Sequence, residues 1–293
     1  MKIFTTNLID EQRKVSQVLD MPNEGLDYEQ WLTVRDVASQ GRKTRAAGHT
    51  VPREHHLLSD LETQFFLLSD FAPDVIDIRE QFPLLPIERT IQIAQDMGIR
   101  HPTNRRTTQR VVMTTDFLLT RQDRKGHHRY HAYSIKPSSR LTENSRRRIR
   151  TLEKLEIERR LWQSLHVPWT LVTEQAFDPT VIANLQWLSY GSRDLTPELI
   201  VQLPSFLAHL AKLDQSSLTL AQLLTTLANQ LDLDDQDVAQ QLFCHGVWQH
   251  HLMMNLHRPI ALSQPTSFRL SPALQARVAH EPGMYVKPEI RHA

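Results

Sequence analysis

Asp116, Ser134 and Lys136 are residues of this 293-residue chain whose types and spacing could do chemistry together. They lie in the stretch VVMTTDFLLTRQDRKGHHRYHAYSIKPS, from Val111 to Ser138. Val111 to Thr120 is rich in β-branched and apolar residues, Tyr130 to Ile135 is a second short apolar run, and Gly126 lies in the polar run between them. That pattern predicts a β-hairpin. Side chains alternate across a strand, so Ser134 and Lys136 share one face, Ile135 takes the other, and Asp116 falls on the neighbouring strand where it can meet them. An acid and an ammonium on one sheet can form a cross-strand ion pair, or they can be the centre of a hydrolytic site built on a divalent cation.

Two further acids could join them. Ser59 to Phe71 reads as a helix, and Ser59 followed by Glu62 is a capping box, in which the Ser hydroxyl bonds the backbone three residues on and the Glu reaches back. The alternative is that Glu62 points at the sheet, because Leu61, Phe65 and Leu68 would bury one face of this helix. Glu143 to His166 is the longest helical run, with Ile149, Leu152, Leu155, Trp162 and Leu165 as its apolar stripe and Glu158 in the gap. A carboxylate there must be paired, since burying it alone would cost several kcal/mol. An arginine partner is the ordinary explanation; a place in the site, or a hold on Lys136, is the functional one.

Around these, Asp74 to Leu85 begins as a strand that ends at Pro83, Glu88 to Gly98 is a helix stopped by its glycine, and Trp169 to Glu174 is a further strand. The order predicts an α/β core with a mixed sheet. Trp31 to Ser39 reads as a short helix or strand, and Gly41 to His56 as an exposed loop. Pro197 to Leu213, Leu218 to Leu231 and Asp234 to His250 read as helices, with Thr219 and Asp234 or Asp235 as N-caps. Short strands at His251 to Leu256 and Ser267 to Leu270 then suggest a winged helix, in which the acids Asp232, Asp234, Asp235 and Asp237 favour a protein partner at least as much as a DNA groove. The division expected is 1–174 for the α/β domain, 175–270 for the winged-helix-like domain, and 271–293 for a tail.

The formal net charge of +1 hides a strong asymmetry. From Arg100 to Arg150 there are 14 Lys and Arg against 3 acids, so the hairpin sits in a basic field while the remainder is acidic. Basic fields attract phosphates. Arg42, Lys43, Arg45 and Arg53 in the loop, with Arg105, Arg106, Arg146, Arg147 and Arg148 in the field, are candidate DNA contacts; solvated surface arginines are the other reading. The N-terminus has acids where a signal peptide needs an apolar run, and no stretch is long enough to span a bilayer. A single Cys244 excludes an internal disulfide and a cysteine-rich zinc site, which fits a reducing cytoplasm. The histidine groups His127, His128 and His131, and His245, His250, His251 and His257 around Cys244, have no zinc spacing, so surface or packing roles are expected.

The Asp116 and Lys136 layout is that of the PD-(D/E)XK nuclease motif. Beyond it, HHLLSDLE (55–62), DIREQFPLLP (77–86), TTDFLL (114–119), IKPS (135–138), LEKLEIERRLW (152–162) and PWTLVTE (168–174) occur in an order that resembles the TnsA family, endonuclease subunits of heteromeric bacterial transposases. The resemblance implies a restriction-endonuclease-like fold and Mg²⁺-dependent cleavage of the 5′ strand at transposon ends, with Mn²⁺ as a substitute. It also implies double-stranded DNA, a TnsB-type transposase and a TnsC-type AAA+ ATPase as partners, and no membrane. Carried over by position, Glu62 and Asp116 match the metal-binding acids and Lys136 the catalytic lysine. Ser134 stands where the family often has Gln and relatives an acid, which weakens side-chain ligation there, though a backbone carbonyl of Ser134 or Ile135 could still serve the metal. Two other classes stay open: a non-catalytic DNA-binding or assembly subunit, and a free-standing restriction or repair nuclease.

Overall fold

A computed structural model describes residues 24–36, 42–104, 108–142, 145–193, 195–213, 217–233 and 235–274. The chain forms two compact units, divided between Phe177 and Asp178.

The first unit opens with an antiparallel ribbon, β1 (Thr44–Ala47) and β2 (Glu54–Leu57), where a loop was expected. Strands this short carry no readable alternation, and what fixes β2 is remote: His55 is fully buried with its Nδ1 2.9 Å from Glu80 Oε2. Trp31 to Asp36 makes bends and a turn rather than a regular element, and Val37 to Ser39 lie outside the described residues. Helix α1 (Asp60–Phe71) follows, then β3 (Val75–Pro83) and α2 (Ile87–Asp96), with Gly98 at φ +64° just past the end as expected. The hairpin is β4 (Thr114–Gln122) and β5 (His128–Ile135). Asp123 builds its turn, its Oδ1 accepting from Lys125 N and His127 N, and Gly126 takes φ +82°. After the short helix α3 (Ser139–Thr142) come α4 (Arg146–Ser164) and β6 (Trp169–Val172). Glu143 lies outside the described residues; Ser145 caps α4, its hydroxyl accepting from Arg148 N at 3.2 Å.

The four-stranded sheet has the order β3-β4-β5-β6, antiparallel except for the parallel β5–β6 pair. The α4 crossover allows that parallel pair. The fold is therefore α/β with a mixed sheet, and the hairpin occupies its two central strands. One core contains Phe82, Leu118, Ala132 and α4 residues Ile157, Leu161 and Trp162; the other contains Ile78, Phe117, Leu119 and α1 residues Phe65 and Phe66. Burying each such side chain contributes about 1.5–3 kcal/mol. The stripe expected on α4 holds only from Leu155 onward, because Ile149 is 59% and Leu152 38% exposed. No helix among the described residues is long and apolar enough to cross a membrane.

The second unit contains α5 (Pro179–Gly191), α6 (Pro197–Leu210), α7 (Leu220–Leu231) and α8 (Gln236–Trp248). Strands β7 (Leu252–Met254) and β8 (Phe268–Leu270) pair antiparallel. Helix α8 packs against α5, α6 and α7. Thr219 forms a full capping box with Gln222, and Asp235 caps α8 by accepting from Val238 N at 2.9 Å. Asp234 lies outside the described residues. The helix α5 goes beyond the three expected here, although Asp178 as cap and Pro179 at the first position are its start signal.

Candidate active site

Asp116 sits near the start of β4, and Lys136 directly follows β5. Lys136 Nζ donates to Asp116 Oδ2 at 2.6 Å, and the same oxygen accepts from Ile135 N at 2.6 Å. Burial alone would lower the lysine, yet Asp116, Glu158 and Glu62 together hold its ammonium above the ordinary lysine value. Lys136 is therefore a cation here. Both bonds to Asp116 fall on Oδ2, which leaves Oδ1 for another ligand.

Glu62 occupies the first turn of α1 and faces the same site. Ser59 Oγ accepts from Glu62 N at 3.2 Å, which is the cap, and donates to Glu62 Oε1 at 3.1 Å. Glu62 Oε2 accepts from Leu58 N at 2.9 Å and from Gln81 Nε2 at 3.2 Å. The helix cap and the approach to the sheet are thus served by one residue. Burial first, and the Asp116 charge second, push the Glu62 carboxyl up to about 7 against Leu58, Lys136 and Ser59. Two carboxylates facing one cleft form a place for a cation.

Glu158, on the buried side of α4, is held by hydroxyls and an indole rather than by an arginine, the ordinary one of the two explanations weighed for it. Its Oε1 accepts from Ser134 Oγ at 2.6 Å, Thr115 Oγ1 at 2.7 Å and Trp169 Nε1 at 3.1 Å. Trp162 Nε1 in turn donates to Thr115 Oγ1 at 2.7 Å. Burial, then Asp116, push the Glu158 carboxyl up to about 7, and the Ser134 and Thr115 hydroxyls and Lys136 only partly offset them. Ser134 is thereby engaged: its hydroxyl donates to Glu158, and backbone carbonyls are further oxygens that β5 can offer. Thr115 and Trp169 escaped the sequence reading, although Thr115 was legible as the neighbour of Asp116.

Glu62, Asp116, Lys136 and Glu158 line one cleft of about 700 Å³ that also holds Arg140, Lys154, Val111 and Pro102. Among the described residues no three His, Cys, Asp or Glu side chains gather closely enough to hold a metal alone. The hard oxygen donors of two carboxylates suit a divalent cation, whose remaining positions a backbone carbonyl, water and a phosphate oxygen could fill. The expected DNA contacts diverge. Arg53 is nearly buried and bidentate on Glu80, at 2.8 and 2.6 Å, so its contact with DNA is corrected to a structural pair. That pair and His55 outweigh burial and hold the Glu80 carboxyl down at about 2. Lys43 Nζ donates to Val34 O at 2.7 Å, while Arg42 and Arg45 pair with Asp60 and Glu54 on the surface. Arg146 and Arg147 are exposed, and half-buried Arg148 donates to Leu141 O at 2.7 Å. Arg105 and Arg106 lie outside the described residues. The histidines go elsewhere: His127 Nδ1 lies 3.1 Å from Asp123 Oδ2, His131 Nε2 lies 2.8 Å from Thr170 Oγ1, and His257 Nδ1 lies 2.7 Å from Asp178 Oδ2.

Residues 72–174 match the family model of the TnsA-like endonuclease N-terminal domain. That segment belongs to the TnsA-like endonuclease family. The transposon Tn7 transposition protein TnsA of Escherichia coli is 46% identical over 187 residues, which is 64% of this chain and 64% of that relative. The chain thus spans under two thirds of the relative it matches. Within the TnsA-like segment fall Asp116, Ser134, Lys136 and Glu158. Glu62 precedes it, so its membership of the site rests on its contacts. A mixed sheet with the candidate groups on its central strands fits the restriction-endonuclease-like fold that the TnsA resemblance implies.

Proposed function

We propose that this chain is the endonuclease subunit of a heteromeric transposase, a Mg²⁺-dependent enzyme that cleaves the 5′ strand at transposon ends. The single observation that carries the reading is Asp116, a TnsA-segment aspartate, sharing a cleft with Glu62 while Lys136 donates to it at 2.6 Å. Glu62 and Asp116 would hold the cation, with the carbonyl of Ser134 or Ile135 beside them. A divalent cation held there supplies Lewis-acid activation of water and stabilises charge on the scissile phosphate.

The chain's own residues do the rest. Lys136, kept protonated beside Asp116, would orient the attacking water and balance charge on the phosphate. Glu158 fixes Ser134 and Thr115, and so holds the ends of β4 and β5 in register. Arg140, Lys154, Arg146 and Arg147 would bind the DNA backbone without reading its sequence. A TnsB-type transposase and a TnsC-type AAA+ ATPase are the partners this function requires, and the winged-helix-like domain, taken as 175–270, is the part proposed to meet them. The catalytic domain is taken as 1–174, and the protein as cytoplasmic.

Lys136→Ala tests the reading. Cleavage of end DNA with the partner transposase should require Mg²⁺ or Mn²⁺, stop with EDTA, and fall at least about 100-fold in the variant. Cleavage that survives EDTA would refute it. Ser134, whose hydroxyl donates to Glu158, favours a second reading as an assembly subunit, in which 5′-strand cuts are absent with and without metal and only the partner's 3′-strand cuts appear.

A further inference from the structure

The β3–β4 ladder pairs Glu80 with Phe117 and Phe82 with Thr115, so the place opposite Asp116 belongs to Gln81. Gln81 leaves the ladder. Its φ is +49°, a left-handed backbone that a residue other than glycine adopts at a cost of about 1–3 kcal/mol. The side chain is buried, with Nε2 donating to Glu62 Oε2 at 3.2 Å and Oε1 accepting from Thr114 Oγ1 at 3.4 Å. Strain of this kind persists where the surroundings enforce it, and here it sits between the two carboxylates of the site.

We propose that Gln81 is a positioning residue for the cation site: by stepping out of the ladder opposite Asp116 it delivers a neutral amide that fixes the rotation of the Glu62 carboxylate. The inference rests on the reading of Glu62 and Asp116 as the cation-holding pair. An amide suits the task because it presents a donor to Glu62 and an acceptor to Thr114 at once. Turned over, it would set Oε1 against a carboxylate oxygen, so the donor side is dictated by chemistry. A Glu at this position would add a third negative charge, and an apolar side chain would leave Leu58 N alone on Oε2. The backbone has a separate duty, since Gln81 O accepts from Trp31 N at 3.4 Å whatever the side chain.

The test uses the full chain with Mn²⁺ as the probe, its free concentration read by electron paramagnetic resonance, beside a thermal melt without metal. Gln81→Met should weaken Mn²⁺ binding about 10- to 100-fold, as loss of a group that orients a ligand does. Gln81→Gly relieves the left-handed backbone yet lacks the amide, so it should weaken binding to the same degree; Thr114→Val should weaken it less. These last two decide the matter if Gln81→Met does not fold. Wild-type Mn²⁺ affinity in the Gln81 variants, whatever their melting temperature, would reduce Gln81 to a packing residue and overturn the proposal. Glu62→Gln separates the two levels. If it also binds Mn²⁺ like the wild type, the assignment of Glu62 fails and this inference with it. If it alone loses affinity, only the role of Gln81 is refuted.

Discussion

Glu62 and Glu158 show how a site holds protons before its ligand arrives. Both carboxyls are pushed up to about 7, above the ordinary value near 4.5, with burial as the main cause and Asp116 the next. The folded chain therefore binds more protons than the unfolded one between about pH 4.5 and 7, and its stability falls as pH rises through that window. Urea unfolding without metal should show a lower midpoint at pH 8 than at pH 5.5, and the double variant Glu62→Gln, Glu158→Gln should flatten the difference. Added Mg²⁺ should stabilise the wild type more at pH 8, because a cation must displace those protons. A midpoint that rises with pH in the absence of metal would contradict this account of the two carboxyls. Glu80 behaves oppositely: held at about 2, it stabilises the fold above pH 4.5 and that contribution is lost as pH falls toward 2. Of these residues, the pairing of Asp116 with Lys136 was legible in strand alternation. The partners of Glu158 were not, since two hydroxyls and an indole give no spacing signal. Gln81 was still less legible, because only the folded backbone reveals that a glutamine has left-handed φ.

Elements divide by whether their signal is local. The hairpin, α1 and α2 follow from patterns within their own residues: a glycine in a polar turn, a serine cap, a glycine stop. The β1–β2 ribbon does not, because its strands are four residues each and are held by contacts with β3. Helix α5 carried a readable Asp-Pro start that its mixed composition obscured. Helix α4 is the instructive case. Its apolar spacing extends to Ile149, but burial begins at Leu155, where the helix reaches the sheet and α2. Leu161→Ala should therefore cost about 2–5 kcal/mol in unfolding, while Ile149→Ala should stay within about 0.5 kcal/mol. Equal losses measured by denaturant titration would mean that α4 packs along its whole length.

At the scale of the molecule, the arginines and lysines do two different jobs. Arg53 belongs to the fold: removing it leaves Glu80 buried and short of its main partner, so Arg53→Ala should destabilise by about 3–5 kcal/mol. Arg146 and Arg147 belong to the surface. Their joint replacement by Ala should leave the melting temperature unchanged and reduce the slope of log affinity against log salt for duplex DNA by about 0.9 for each phosphate that is no longer neutralised. An unchanged slope would remove α4's first turn from the DNA path. Nothing in the order of residues distinguishes these arginines, because charge runs look alike until a buried acid is found opposite one of them.

The measurement that tests the central claim most directly maps both strands of a DNA carrying two transposon ends, cut by the full chain with a TnsB-type transposase and a TnsC-type ATPase. Wild type and Asp116→Ala are compared in Mg²⁺ and in EDTA. The account predicts 5′-strand cuts only with metal and intact Asp116, while the partner's 3′-strand cuts in Mg²⁺ persist in the variant. Cuts on the 5′ strand that survive Asp116→Ala, or that are missing from the wild type in Mg²⁺, would contradict it.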